Sequence, residues 1–191
     1  MNCTAVILAA GHGRRFREAA GSGRDKLLEC CVGLDEVSRP VLEHVLRNVA
    51  QTQLRCLVVT RADAPDRAAL ARAAGHEVLL IDSDGMGDSL AAAVQASAGS
   101  DGWLVVLGDM PWVSPRTLSD VAADMTADAI SVPMSERGRG HPVGFGRDFA
   151  AGLMALSGDQ GGRRLFSADN VRELWVEDQA IYRDVDLPGD L

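Results

Sequence analysis

Nothing in this sequence pairs its cysteines. Cys3, Cys30, Cys31 and Cys56 form no CxxC spacing, and Cys30 abuts Cys31, so neither a zinc site nor a disulfide framework is expected. Reduced thiols are, with Cys30 and Cys31 buried as small apolar groups behind Leu27 and Leu28. The chain also lacks an excess of positive charge. Nineteen Lys and Arg stand against 27 Asp and Glu, a net charge of −8. That balance argues against a polynucleotide or an anionic membrane as main partner, while a small anionic ligand needs only a local cluster of cations. No basic stretch precedes the first apolar segment, Thr4 to Leu8, which is too short for a signal peptide or a membrane span. A cytoplasmic location is expected. No Gly-Lys-Ser/Thr occurs, which excludes a Walker A loop, and no Ser/His/Asp or Cys/His arrangement for nucleophilic catalysis is evident. Linkers, repeats and low-complexity segments are missing too, so residues 1–191 are expected to form one domain.

What is present is an alternation of short apolar runs with amphipathic stretches. Thr4–Leu8, Leu57–Thr60, Val78–Ile81 and Trp103–Leu107 read as buried strands. Between them lie helical patterns. Pro40 opens one with Val41, Leu42, Val45, Leu46 and Val49 on a single face, and an Ala- and Arg-rich one ends near Gly75. A third carries Leu90, Ala93, Val94 and Ser97, and a fourth, capped at Ser114-Pro115, carries Leu118, Val121, Ala122 and Met125. Continuous apolar strands separated by helices predict an α/β fold, a mostly parallel central sheet with helices on both faces. Beyond Ala129–Val132 the pattern loosens into a glycine-rich stretch, Gly138–Gly146, a helix over Phe149–Leu156 and a last strand over Val171–Val176.

Open parallel sheets bind ligands at the carboxyl ends of their strands, and the unusual residues fall there. The first strand runs into Leu8-Ala9-Ala10-Gly11-His12-Gly13-Arg14-Arg15-Phe16. Small residues let backbone amides approach a phosphate, and two arginines offset its charge; a glycine turn with exposed basic residues is the structural alternative. Phe16 stands where a dinucleotide loop would have its third glycine. Asp109, in Leu107-Gly108-Asp109-Met110-Pro111, is either a hard oxygen ligand for Mg²⁺ or a solvated turn aspartate. In Asp82-Ser83-Asp84-Gly85-Met86-Gly87-Asp88-Ser89-Leu90, the helix-start amides and the Ser89 hydroxyl can hold a ligand, or Asp88 or Ser89 can simply cap the helix.

Taken in order, these segments resemble the molybdenum-cofactor nucleotidyltransferases, most nearly the molybdopterin cytidylyltransferase branch. The likeness covers essentially the whole chain: Leu8-Ala9-Ala10-Gly11 with Gly13, Arg14 and Arg15; Lys26-Leu27-Leu28; Gly85-Met86-Gly87 with Ser89-Leu90; and Asp109-Met110-Pro111. It continues through Arg139-Gly140-His141-Pro142-Val143, Gly158-Asp159-Gln160-Gly161 and Asp184-Val185-Asp186-Leu187-Pro188. The resemblance implies a Rossmann-like nucleotidyltransferase fold and transfer of CMP from CTP to the molybdopterin cofactor, with Mg²⁺ (or Mn²⁺) as the metal. By the same resemblance the Leu8–Gly13 loop, Arg14 and Arg15 cradle the triphosphate. Lys26 offsets charge on its phosphates, Asp109 holds the metal, and Gly85, Met86, Gly87 and Ser89 line the nucleotide site. Ala10, where the guanylyl branch tends to have glycine, matches the cytidylyl type.

On the acceptor side stand His141 and Asp159, each with a structural alternative, as a satisfied histidine and a helix cap. Asp184 and Asp186 are expected to organise the C-terminal turn, and Arg17 to Asp25, with Gly21-Ser22-Gly23, to be mobile or to line the acceptor site. A molybdoenzyme or its chaperone is the partner such a product implies. Rival readings are use of GTP, transfer to a sugar or alditol phosphate, and a non-catalytic molybdopterin carrier.

Overall fold

The computed structural model describes residues 2–21, 23–83 and 85–191. Strand β1 (Cys3–Leu8) leads into helix α1 (Arg14–Ala20), and a small hairpin, β2 (Cys30–Val32) with β3 (Ser38–Pro40), leads into α2 (Val41–Ala50). Then β4 (Arg55–Arg61), α3 (Pro65–Ala73), β5 (Glu77–Ile81), α4 (Met86–Ala96), β6 (Gly102–Leu107) and α5 (Pro115–Asp124) alternate. The last third holds β7 (Ile130–Ser135), β8 (Gly138–Arg139), β9 (Val143–Gly146), α6 (Ala150–Met154) and β10 (Val171–Trp175). The main sheet runs β10-β7-β9-β6-β1-β4-β5, with β8 paired to β7. Strands β5, β4, β1 and β6 are mutually parallel, and β9 is antiparallel to both its neighbours.

Burial follows the strand period of two. Ala5 and Ile7 of β1 join one apolar cluster with Leu42, Val45, Leu46 and Val49 of α2 and Leu118 and Val121 of α5. Val6 points the other way, into a second cluster with Leu90, Ala93 and Val94 of α4 and Leu153 of α6. Helices therefore cover both faces, as the continuous apolar runs predict. The α3 pattern ends at Gly75, whose positive φ of 83° lets the His76 amide reach back to the Ala71 carbonyl at 3.1 Å. Among the described residues no helix is long and apolar enough to cross a membrane.

Two expectations need correction. Cys31 is buried but Cys30 is exposed, because they alternate on a strand rather than sharing a face. All four cysteines are free, and burial pushes the Cys56 thiol up to about 12, so it is held as the neutral, unreactive form. Neither Asp88 nor Ser89 caps α4. The cap position is Gly85, and both residues lie inside the first turns. Of the Gly21-Ser22-Gly23 stretch, Ser22 lies outside the described residues, as Asp84 does in its own segment.

Ser114 caps α5 as expected, its hydroxyl accepting from the Thr117 amide at 3.1 Å. Behind it Asp178 accepts from the Ser114 amide, the Thr117 hydroxyl and the Ala180 amide at 2.9, 2.6 and 3.0 Å. Burial alone would raise this carboxyl, but those hydrogen bonds outweigh it and hold it below the usual carboxylate range. A carboxylate whose folded value is depressed contributes stability above its unfolded value, near about 4, and loses it as pH falls through the folded value. Asp178→Ala should therefore cost about 1–3 kcal/mol at pH 7 by leaving those donors unpaired, with a smaller penalty in acid. Urea unfolding at the two pH values checks this; equal midpoints for both proteins at pH 7 would refute it.

Candidate active site

The site grows from the carboxyl ends of β1 and β6. After Leu8 the chain turns through Ala9 to Gly13 before α1 starts at Arg14. Gly13 has φ 61°, and a Cβ there would lie 3.3 Å from Lys26 Cγ, so the lysine stem passes directly over it. Gly108 comes equally close to the other side of the loop. Its amide donates to the Leu8 carbonyl at 2.9 Å, and a Cβ would crowd that same oxygen. From α2, the buried Asn48 side chain donates to the carbonyls of Pro111 and Val113, both at 3.0 Å, and so holds the turn that carries Asp109.

At the centre Lys26 Nζ donates to Asp109 Oδ2 at 2.6 Å, to the Val185 carbonyl at 3.0 Å and to Asp186 Oδ1 at 3.4 Å. The pair is well shielded, with side-chain exposures of 11% for Lys26 and 21% for Asp109. Asp186 also receives Arg15, reaching over from α1. Each of Asp109, Asp184 and Asp186 offers a carboxylate oxygen, and the three lie within 4.8 Å of one another. Burial, with the charges of Asp186 and Asp109, pushes Asp184 above the usual carboxylate range, against the opposing pull of Lys26. A set of hard oxygens under mutual repulsion fits a divalent cation such as Mg²⁺ or Mn²⁺.

Two clefts flank this centre. One, of about 240 Å³, is lined by Leu8, Ala9, Ala10, Gly11 and Gly13 together with Lys26, Leu27, Met86, Ser89, Leu107, Asp109 and Asp159. The second, of about 460 Å³, has an apolar floor that includes Leu90, Val105, Val132, Val143, Phe145 and Phe166, with Arg137, Arg139, His141 and Arg163 also lining it. Leu8, Met86 and Leu107 line both, so the clefts meet at the ends of β1 and β6. His141 stands in the larger one. Its Nδ1 is buried and has no hydrogen-bond partner among the described residues. Burial holds its imidazole below the ordinary histidine value, against the pull of Asp109, and so neutral near pH 7.

The structure thus gathers most of the residues singled out in the sequence, with some changes of place. Gly85 and Gly87 stand behind the nucleotide-sized cleft rather than in its lining. A Cβ on Gly85 would lie 2.5 Å from the Gly158 carbonyl, and one on Gly87 would lie 2.8 Å from that of Gln160. Their smallness lets α4 dock on the Ser157–Gln160 segment, where Gly87 N donates to Gly158 O at 2.7 Å and Asp88 accepts from Gly158 N at 3.1 Å. The Ser89 hydroxyl is buried and donates back to the Gly85 carbonyl at 2.9 Å. Asp159 borders the smaller cleft, not the larger, and the short helical turn after it is capped by Gly161 instead. Arg14 is exposed at the start of α1 and, like Arg15, is not part of the cleft lining among the described residues.

Asp184 and Asp186 were expected to shape the C-terminal turn. Asp190 does that, accepting from the amides of Asp186 and Leu187 at 3.0 and 2.7 Å, which leaves the other two carboxylates to the centre. Their spacing of two in an extended segment was the available signal, since it puts both on one side. Gly23 lines a separate cavity of about 250 Å³ with Gly11, Asp25 and Arg67, away from the larger cleft.

A mostly parallel sheet with a glycine loop after its first strand, a lysine–aspartate pair and a carboxylate centre fits an NTP-transferase domain. The comparisons agree. Residues 5–174 match the family described as MobA-like NTP transferase domain, and the chain belongs to that family. It is similar to the bifunctional protein GlmU of Acidiphilium cryptum, 36% identical over 149 residues, which cover 77% of this chain and 31% of that protein. The chain therefore spans about a third of the length of such curated relatives. Among solved structures, Rv0371c of Mycobacterium tuberculosis superposes with a TM-score of 0.81 and 31% identity, covering 100% of this chain and 96% of that one. A manganese complex of Rv0371c is also similar, with a TM-score of 0.73 and 26% identity over 100% of this chain and 96% of that one. A nucleotidyl transferase from Methanothermobacter thermautotroptrophicus shares the fold, at a TM-score of 0.80 and 24% identity over 98% and 93% of the two chains.

Proposed function

We propose that this nucleotidyltransferase moves CMP from CTP to the molybdopterin cofactor and releases pyrophosphate. The observation that carries the choice of acceptor is the lining of the larger cleft. It combines an apolar floor bearing Phe145 and Phe166 with Arg137, Arg139 and Arg163, and among the described residues it includes no carboxylate or carboxamide side chain. A polyhydroxylated sugar phosphate calls for such groups to pair its hydroxyls, because hydroxyls buried unpaired are costly. A flat heterocycle carrying a phosphate needs an apolar bed and cations instead. His141, held neutral by burial, adds an uncharged ring to that lining. The smaller cleft, with the Leu8–Gly13 loop and Lys26, takes the nucleotide.

In this reading an acceptor phosphate oxygen attacks the α-phosphorus in line. A new O–P bond forms as the bond to the β-phosphate oxygen breaks, and the electron pair leaves with pyrophosphate. The acceptor phosphate is ionised at neutral pH and needs no general base. The loop amides and Lys26 hold the triphosphate and offset charge that grows on the leaving oxygens. Asp109, Asp184 and Asp186 would hold a divalent ion, which supplies further charge neutralisation on the phosphates when bound.

The test is a pyrophosphate-release screen of the four NTPs against molybdopterin cofactor and several sugar and alditol phosphates. Turnover with molybdopterin is expected; turnover with a sugar phosphate alone would overturn the acceptor, and no turnover with any would favour a carrier. In the same screen CTP should exceed GTP by about 10–200-fold in kcat/KM, because the Ala10 methyl beside the loop leaves less room for a purine. Equal values for the two would remove the cytidylyl assignment.

A further inference from the structure

Arg67, on α3, is almost entirely buried, its side chain 2% exposed against 19% for its partner Asp25. The guanidinium donates in two directions. Nε and Nη2 form a fork on the Asp25 carboxylate at 2.6 and 2.8 Å. Nη1 donates to the carbonyls of Ala9 at 2.7 Å and Gly11 at 3.0 Å. Asp25 immediately precedes Lys26, and its Oδ1 also accepts from the Leu27 amide at 3.1 Å. One planar group thus ties together the loop and the lysine segment that face the nucleotide-sized cleft. Burying a charged group is costly unless it is fully paired, and a helix that needed only an apolar contact here would not require a guanidinium.

We propose that Arg67 is a positioning residue for nucleotidyl transfer, setting the span between the glycine loop and Lys26. This rests on the reading that both segments hold the triphosphate. The mechanism is steric and electrostatic. In a planar trans peptide the N–H points opposite to the C=O. Drawing the Ala9 and Gly11 carbonyls toward Arg67 therefore turns the Ala10 and His12 amides to the side of the loop away from α3. The Asp25 fork meanwhile fixes the residue from which the Lys26 side chain departs. A lysine at position 67 would carry the charge, but a single ammonium lacks the rigid fork that spans a carboxylate and two carbonyls.

Four proteins test this: wild type, Arg67→Met, Arg67→Lys, and Arg67→Met combined with Asp25→Asn. Each is titrated with CTP, GTP, ATP and UTP and with the matching monophosphates, and its thermal unfolding is followed. The double variant should regain most of the Tm lost by Arg67→Met, because no buried carboxylate is left without its partner. Even so, its triphosphate-to-monophosphate affinity ratio should stay about ten-fold below wild type, the size of a lost charged hydrogen bond. Arg67→Lys should likewise fold and keep the lowered ratio. A merely structural role predicts that the ratio returns with stability, so a folded double or lysine variant with the wild-type ratio overturns the proposal. Base preference reports separately on the cytidylyl reading, and its failure would leave the ratio interpretable.

Discussion

Asp109→Asn is expected to lower kcat by at least about a hundred-fold at ordinary Mg²⁺, in line with the loss of one preorganised electrostatic group. Asparagine keeps the shape and one oxygen. The Asp109 backbone carbonyl still accepts from Val185 N at 2.9 Å, so the fold should change little. What disappears is a negative charge at the meeting point of Lys26, Asp184 and Asp186. Magnesium dehydrates reluctantly and relies on one or two carboxylates plus substrate phosphates, which makes this loss severe. The two remaining carboxylates should let raised Mg²⁺, or Mn²⁺, recover part of the rate. A metal titration of nucleotidyl transfer by both proteins, with circular dichroism as a folding control, gives the answer. A folded variant with normal turnover and unshifted metal dependence would remove Asp109 from the metal site.

Lys26→Ala should cost two to three orders of magnitude in kcat, about 2.7–4 kcal/mol, and weaken CTP binding less. Charge on the α-phosphate and on the departing pyrophosphate grows toward the transition state, so a fixed ammonium stabilises that state more than the bound substrate. The structure adds a second effect of the same sign. Lys26 is the cation hydrogen-bonded to Asp109 and Asp186, and removing it leaves clustered carboxylates that repel an incoming triphosphate. Pre-steady-state measurement of kcat separately from nucleotide affinity distinguishes the effects. If the variant turned over like wild type, the phosphate site would have to be placed elsewhere.

Much of the architecture was legible because parallel strands buried on both faces have to be apolar along their length. Val6, Val58 and Val105 are buried on adjacent strands for that reason. Helix α1 was not legible, since only Phe16 of its seven residues is buried and no apolar stripe marks it. The β2–β3 hairpin escaped as well, with three residues per strand and exposed side chains at Val32 and Ser38. In the site, Asp109 could be singled out because it follows a continuous apolar strand, and Lys26 only through the family resemblance. The spacing of Asp184 and Asp186 sets them on one side, but they acquire their meaning from Asp109, some 75 positions earlier, which only the fold brings beside them. Arg67 is the extreme case. A charged residue in an Ala- and Arg-rich helix reads as solvated surface, and only the tertiary fold shows that it is buried beneath the loop.

The reversal of direction at β9 has a consequence for how such a protein can diversify. Apart from Asp159, the smaller cleft is lined by residues between 8 and 109, at the ends of the parallel strands β1 and β6 and in the loops and helix start beside them. The far wall of the larger cleft, from Val132 through Phe145, comes from β7 to β9, which are joined to the rest of the sheet through the antiparallel β6–β9 seam. Among the described residues none from Val132 to Phe145 lines the smaller cleft. A lineage could therefore keep one donor chemistry and retune the recipient by altering two stretches of chain, residues 132–145 and 161–166. Grafting residues 132–146 together with 161–166 between two members with different recipients would show whether the boundary is transferable.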